Sequence, residues 1–350
     1  MLRGRKRTVG LLAAVGVLAA TSVFVTVGSS AAAPGAKPDR NAVVAYWTPQ
    51  RIAHAVPRDV APKSLPKPQA GKPPGTGGGG GGGGGTTVTG AAWTAGGKVQ
   101  ATTGKVLFTM DGVDYVCSGS VAADSSSSAS LVLTAGHCVY DESGSGFATN
   151  WMFVPDYQTG GAIVTNPDGT HSFTCETVPY GCWTATALVT TTAWANGGAS
   201  LQGFNDDYGF AVVGAGGKTG ESKQLDSTVG SNPVAFNQAH PAQVSSFGYP
   251  QASPYDGQKL IYCAGNDVAD TWGGTTDFGL SCNMTGGSSG GPWYVSFGAN
   301  GSQGSLNSVN SFKYTSGRFT KYMWGPYFDA YTLKTYTAAK SAGANLLVAP

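Results

Sequence analysis

From Gly104 onward, apolar and β-branched runs of four to seven residues alternate with clusters of Gly, Ser, Asn and Asp. Lys105–Thr109, Leu131–Thr134, Ala162–Thr165, Leu188–Thr192, Phe210–Val213 and Trp293–Phe297 are examples. Short strands separated by turn residues predict an all-β barrel or sandwich, not βαβ units. One helix is expected, over about Phe328–Ser341, where Ala, Leu, Lys and Tyr replace the Gly-rich pattern. No internal repeat is visible. Upstream the pattern fails. Prolines at 34, 38, 49, 57, 62, 66, 68, 73 and 74 interrupt it, and Gly77–Gly85 is an unbroken glycine run. Within this stretch Val43–Trp47 is apolar and is expected to dock as a strand.

The chain opens on Arg3, Arg5, Lys6 and Arg7, followed by an apolar stretch from Val9 to Val27 and the small residues Ser29–Ala33. That is the three-part pattern of an export signal, here taken as residues 1–31. The apolar length also approaches that of a membrane span, but the small-residue run favours cleavage. Residues 32–90 are expected to be a pro-segment and Gly-rich linker, with removable residues inside 34–75 or a passive spacer as the two readings. Residues 91–350 form the folded body.

Charge supports this division. The 350 residues carry a formal +2, but residues 1–90 carry +9 and the body −7. A basic front could therefore lean on an acidic body. Charged residues are only 11% of the chain, against roughly 25% in an average globular protein, which excludes a polyelectrolyte and a charged coiled coil. The near-neutral total argues against a nucleic-acid binder. Six cysteines, at 117, 138, 175, 182, 263 and 282, all lie in the body. In an oxidising compartment they predict three disulfides, with fifteen pairings open. None has the C-x-x-C spacing of a metal or redox site.

Three segments can carry chemistry. In Leu131–Cys138 an apolar strand ends in small residues and presents His137, placed as a general base must be. In Asn205–Val213 two acids, Asp206 and Asp207, precede an apolar strand, and either could hold an imidazole. In Thr285–Trp293 glycines flank a pair of serines. Such a loop turns sharply, and the Gly287 and Ser289 amides could receive an oxyanion.

Taken together, Thr134-Ala-Gly-His-Cys138 and Gly287-Ser-Ser-Gly-Gly-Pro292, in the chain order His, Asp, Ser, resemble the signatures of chymotrypsin-like serine peptidases. Thr285–Trp293, with Asp-Tyr-Gly before the apolar strand, resembles the secreted bacterial branch that includes the V8-like endopeptidases. The resemblance covers about residues 100–335. It implies two six-stranded antiparallel β-barrels with the site between them. Ser289 is then the nucleophile, His137 the base and Asp207 the orienting acid. The Gly287 and Ser289 amides form the oxyanion hole. The implied disulfides are Cys117–Cys138, Cys175–Cys182 and Cys263–Cys282.

Two departures follow from the same resemblance. Animal digestive members carry an Asp before the nucleophile to receive the new N-terminus on activation; Ser288 cannot do so. Asn283 stands at the pocket-floor position where an Asp selects Lys or Arg, so trypsin-like cleavage is not expected. Met284, Ser311, Phe312 and Lys313 complete the expected pocket. Lys313 stands where a small residue is usual and could attract Glu or Asp, unless it points to solvent. The expected protein is a secreted monomeric endopeptidase acting on proteins or peptides. No cofactor, metal, nucleic acid or, after signal cleavage, membrane is expected. Two rivals are a protease-like binding module that has lost catalysis and a cell-wall protein tethered by its glycine run.

Overall fold

Asp111 and Gly112 both take positive φ, +47° and +74°. This two-residue turn joins strand Thr103–Met110 to Val113–Ala122 with Met110 opposite Val113. A two-residue loop with both φ positive matches the twist of the strands it joins. From this hairpin the first barrel grows by antiparallel pairing, through Thr149–Pro155, Trp183–Thr191, Gly209–Val213 and Ser130–Thr134. Ser130–Thr134 pairs back onto Val113–Ala122, closing six strands into a ring. Val106, Leu107, Phe108, Leu133, Phe153, Val189, Phe210 and Val213 are wholly buried inside it or beneath its covering segments.

The coordinates are a computed structural model that describes residues 1–2, 39–62, 87–124, 128–160, 164–165, 171–298 and 304–350. All but the first two belong to a unit running from Lys37 to Pro350. Residues 3–31 of the expected signal and the glycine run lie outside the described residues, as do Ala162 and Ile163 of one expected strand.

The second barrel consists of two sheets. Five strands run in the order Ser305–Val309, Pro292–Val295, Gln243–Gly248, Ile261–Asn266 and Val88–Ala92. Three more are Val268–Ala269, Phe278–Ser281 and Tyr322–Gly325. The segment after Val309 crosses from one sheet to the other, where the Ser311 amide donates to the Trp324 carbonyl and the Trp324 amide to that of Phe312. Together the two halves form the expected chymotrypsin-like two-barrel fold. The strand Val88–Ala92 straddles the boundary expected at residue 90.

The expected C-terminal helix runs Ala330–Ala339, with Asp329 and Thr332 forming a reciprocal cap. Beyond it, Leu346–Val348 returns to pair in parallel with Trp183–Thr191 of the first barrel. All three disulfides are formed in the expected pairing. No helix among the described residues is long and apolar enough to cross a membrane.

Val43–Trp47 is not a strand. Residues Arg40–Tyr46 form a helix capped by Asp39, whose carboxylate accepts from the Asn41 amide. Val43 and Trp47, four residues apart, then fall on one side and are both buried. A second helix, Pro49–His54, starts with Thr48 as cap and buries Ile52. The chain continues as Val56–Pro57, pairing in parallel with Tyr115 and Val116 at the open edge of the first hairpin. Four further short helices, Gly97–Thr102, Thr192–Gly197, Leu201–Phe204 and Leu225–Val229, were not expected.

Candidate active site

Strand register brings the first two candidate residues together. Gly209 lies opposite Thr134, so the residue two before Gly209 faces the turn that follows Thr134. That turn, Gly136–Cys138, is a single 3-10 turn. Asp207 there accepts twice from His137: from its backbone N–H at 2.8 Å and from its ring Nδ1 at 2.8 Å. Both side chains are fully buried. A carboxylate accepts only, so Nδ1 is the donor of this hydrogen bond, which leaves Nε2 as the lone-pair nitrogen of the neutral ring. Ser311 adds a third hydrogen bond to the Asp207 carboxylate, at 2.5 Å. A Cβ on Gly136 would lie 3.0 Å from both Asp207 Oδ1 and Trp194, so the residue before His137 has little room.

The neighbouring Asp206 goes elsewhere. Its carboxylate accepts from the Tyr208 hydroxyl at 3.4 Å. Burial, with the Asp329 charge nearby, pushes its carboxyl up to about 6. Of the two acids open in the sequence, the fold therefore gives only Asp207 to His137.

The Ser289 loop is held from both barrels. Ser118 of the first barrel donates through its amide to the Ser289 carbonyl (2.7 Å) and through its hydroxyl to the Gly287 carbonyl (2.9 Å). Asn310 of the second barrel donates to the Ser288 carbonyl (3.0 Å) and accepts on its own carbonyl from Gly290 (2.7 Å). Gly290 has φ +76°, and a Cβ there would lie 2.0 Å from Thr134 Oγ1. Only glycine lets the loop approach the first barrel so closely. Among the described residues, the Gly287 and Ser289 amides donate to no protein acceptor. Both N–H groups are thus available to an incoming oxyanion.

Ser289 is 7% exposed and lines a cavity of about 190 Å³ with Ser311, Phe312 and Lys313. Lys313 does not point to solvent. Its ammonium donates to the carbonyls of Cys282 (2.7 Å) and Met284 (3.3 Å). Burial pulls it down to about 8. Asn283 and Met284 do not join this cavity through their side chains. Asn283 is exposed and accepts from the Tyr255 hydroxyl beside Gly90. Met284 is buried in the apolar cluster with Val244, Cys263 and Trp293. Asn283 was expected at the pocket floor and Met284 in the pocket, but the backbone here turns one outward and the other into the core.

The remaining wall was not foreseen. Asp59, Val60 and Ala61, just after the two N-terminal helices, line the same cavity. Asp59 lies against Gly286, where its carboxylate oxygens fall 2.2–2.3 Å from the position a Cβ would take. Burial raises its carboxyl and the nearby His137 draws it back. Arg58 donates through Nε to the His137 carbonyl (2.7 Å). His137 Nε2 is buried and has no hydrogen-bond partner among the described residues, so the Ser289 hydroxyl is not bonded to it in this arrangement. Nothing in residues 58–61 carries a recognisable motif, and their role depends entirely on where the preceding helices dock.

No protein-family model matches this chain, and no curated protein does. Solved structures do. The protease Anisep from Arthrobacter nicotinovorans is 38% identical, with 69% of this chain and 96% of that one covered at a TM-score of 0.56. The thermostable serine protease AL20 from an extremophilic microorganism is 36% identical, with 70% and 99% covered at 0.55. A Glu endopeptidase shares the fold at 16% identity, with 73% and 97% covered at 0.50. With this fold and these identities across nearly the whole of two solved proteases, the chain belongs to the chymotrypsin-like bacterial serine proteases.

Proposed function

We propose that the protein is a secreted serine endopeptidase, made as a latent precursor, in which Ser289, His137 and Asp207 cut peptide bonds. The observation that carries this reading is the doubly bonded His137–Asp207 pair, which Ser311 joins to the cavity that Ser289 lines. Ser289 Oγ attacks the scissile carbonyl carbon while His137 Nε2 takes its proton. The Gly287 and Ser289 amides receive the oxyanion. As the intermediate collapses, the C–N bond breaks and His137 returns the proton to the leaving amine. Water then repeats the sequence on the acyl-enzyme. Oxyanion donors of this kind contribute roughly 3–4 kcal/mol each.

Residues 1–31 act as the export signal, and the segment through Pro62 is removed on maturation. Latency is supported by Asp59–Ala61 walling the Ser289 cavity and by His137 Nε2 standing without a hydrogen-bond partner among the described residues. The body then begins near the strand Val88–Ala92. Lys313 supports a preference for Glu or Asp before the scissile bond. An ammonium has three donors, and two are spent on carbonyls.

The test is fluorophosphonate labelling of the secreted protein beside a Ser289→Ala control, followed by intact mass. Labelling that disappears in the control, on a product starting after Pro62, is the expected result. A processed protein that does not label would overturn the enzymatic reading in favour of a binding module. A labelled protein that still carries residues 39–62 would overturn the removal of the segment.

A further inference from the structure

Arg58 sits in a built receptor. Its Nη2 lies 3.2 Å from Asp141 Oδ1 and 3.1 Å from Glu142 Oε2. Its Nε donates to the His137 carbonyl, and the Tyr115 ring lies 5.6 Å from the guanidinium carbon. The guanidinium side chain is only 11% exposed.

The two acids have different attachments. Asp141 also accepts from the amides and hydroxyls of both Ser143 and Ser145. Burial acts to raise its carboxyl, but those bonds and Arg58 outweigh it, so the group stays ionised throughout the working pH range. Glu142 has no such second set. Its stem packs against Gly198, and Arg58 is its one cation among the described residues. When Arg58 leaves, a fixed anionic hollow with an aromatic wall and a carbonyl acceptor opens beside His137. A carboxylate deprived of its partner in so enclosed a place is stabilised by any cation that can reach it.

We propose that the hollow filled by Arg58 is a substrate subsite for a Lys or Arg side chain on the leaving-group side of the scissile bond. The proposal rests on the reading that the segment through Pro62 is removed. The side follows from the path of the chain. Asp59, Val60 and Ala61 line the Lys313 cavity, whereas Arg58, Asp141 and Glu142 do not. Arg58 therefore lies outside the pocket that takes the residue before the cut and against His137, the group that returns the proton to the leaving amine. Residues 58–61 run from the leaving-group side to the acyl side, opposite to a substrate. The segment fills both subsites without setting a peptide carbonyl in the sense that is cleaved.

The test uses the mature enzyme on internally quenched peptides that hold Glu before the scissile bond. Arg, norleucine or Glu is placed in turn at each of the three following positions. Arg should exceed norleucine by about tenfold or more in kcat/KM at one position, the range of a charge-assisted hydrogen bond. Glu should be poorest there. Glu142→Gln should bring the Arg-to-norleucine ratio to within about threefold, and Glu142→Lys should invert it toward Glu. A ratio within one variant does not depend on how much of it folds. Should neither variant be secreted, rising ionic strength must erode the wild-type ratio. Flat ratios at all three positions, or a ratio that Glu142→Gln leaves unchanged, overturn the subsite while the latent-protease reading stands. An active enzyme whose intact mass retains Arg58 overturns the removal of the segment and the subsite with it.

Discussion

Asp206 and Asp207 are chemically identical neighbours, and their different partners make them separable by mutation. Asp207 fixes the tautomer and orientation of His137. Asp207→Asn should lower kcat by about 10³–10⁴-fold through the wrong tautomer. Asp206→Asn should stay within a few fold, because its carboxylate meets Tyr208 and not the imidazole. Steady-state kinetics on one peptide decides the matter, and equal losses would mean the acid is misassigned. Lys313 makes a second claim at this scale. Burial holds it near 8, so it is an ammonium below that pH and neutral above. Any preference for Glu over Gln before the scissile bond should fall as pH rises through about 8. In Lys313→Met the preference should be small and flat with pH; a wild-type-like profile in that variant would remove Lys313 from specificity.

At the scale of elements, the helices Arg40–Tyr46 and Pro49–His54 act as a clamp for the segment that follows. Trp47 is 4% exposed and its indole N–H donates to the Asn150 carbonyl at 2.6 Å. Ile52 is buried beside it in the same core. Gln251 ties this element to the active-site loop, since its side chain donates to the Ala55 carbonyl and its amide to that of Gly286. Removing a buried aromatic typically costs about 3–5 kcal/mol. Trp47→Ala should therefore loosen the clamp more than it loosens the barrels. Fluorophosphonate should label the purified unprocessed variant severalfold faster than the unprocessed wild type. Identical labelling rates would show that latency does not depend on this docking. These helices have six or seven residues, and the others missed have four to six. Elements so short hold too few turns for an apolar period to register, and packing rather than propensity stabilises them.

Across the whole molecule, Lys105 ties the first barrel to the second. It is fully enclosed, donates to Gln251 at 3.1 Å and lies 4.3 Å above the Tyr157 ring. Burial lowers it to about 7, with Asp256 opposing. Below pH 7 both folded and unfolded chains hold the proton, and the folded state bears the cost of the buried charge. Between about pH 7 and the ordinary lysine value of 10.5 the unfolded chain keeps a proton that the folded chain has released. Stability should therefore rise with pH across that window. Denaturant unfolding from pH 6 to 9.5 should show the wild type gaining on Lys105→Met as pH increases. Parallel curves for the two proteins would mean the lysine keeps its proton.

The sequence by itself determined the all-β class and the C-terminal helix and singled out His137 and Ser289 as candidates, because each rests on local pattern: short apolar runs between turn residues, and two compact motifs around one His and one Ser. The resemblance those motifs carry also supplied the disulfide pairing. What it left open needed contacts between distant segments. The residues alone left Asp206 and Asp207 open and the resemblance favoured Asp207; the contact itself forms where Gly209 meets Thr134 in register. Asn283 left the pocket because Tyr255, 28 positions away, holds it outward. Asp59 became part of the cavity wall, and Arg58 reached the His137 carbonyl, because two capped helices bury Val43, Trp47 and Ile52 on the first barrel. Motifs are local and are written in the chain. A receptor made of Tyr115, His137, Asp141 and Glu142, and the arginine that fills it, exists only once tertiary packing has brought residues 58 and 142 together.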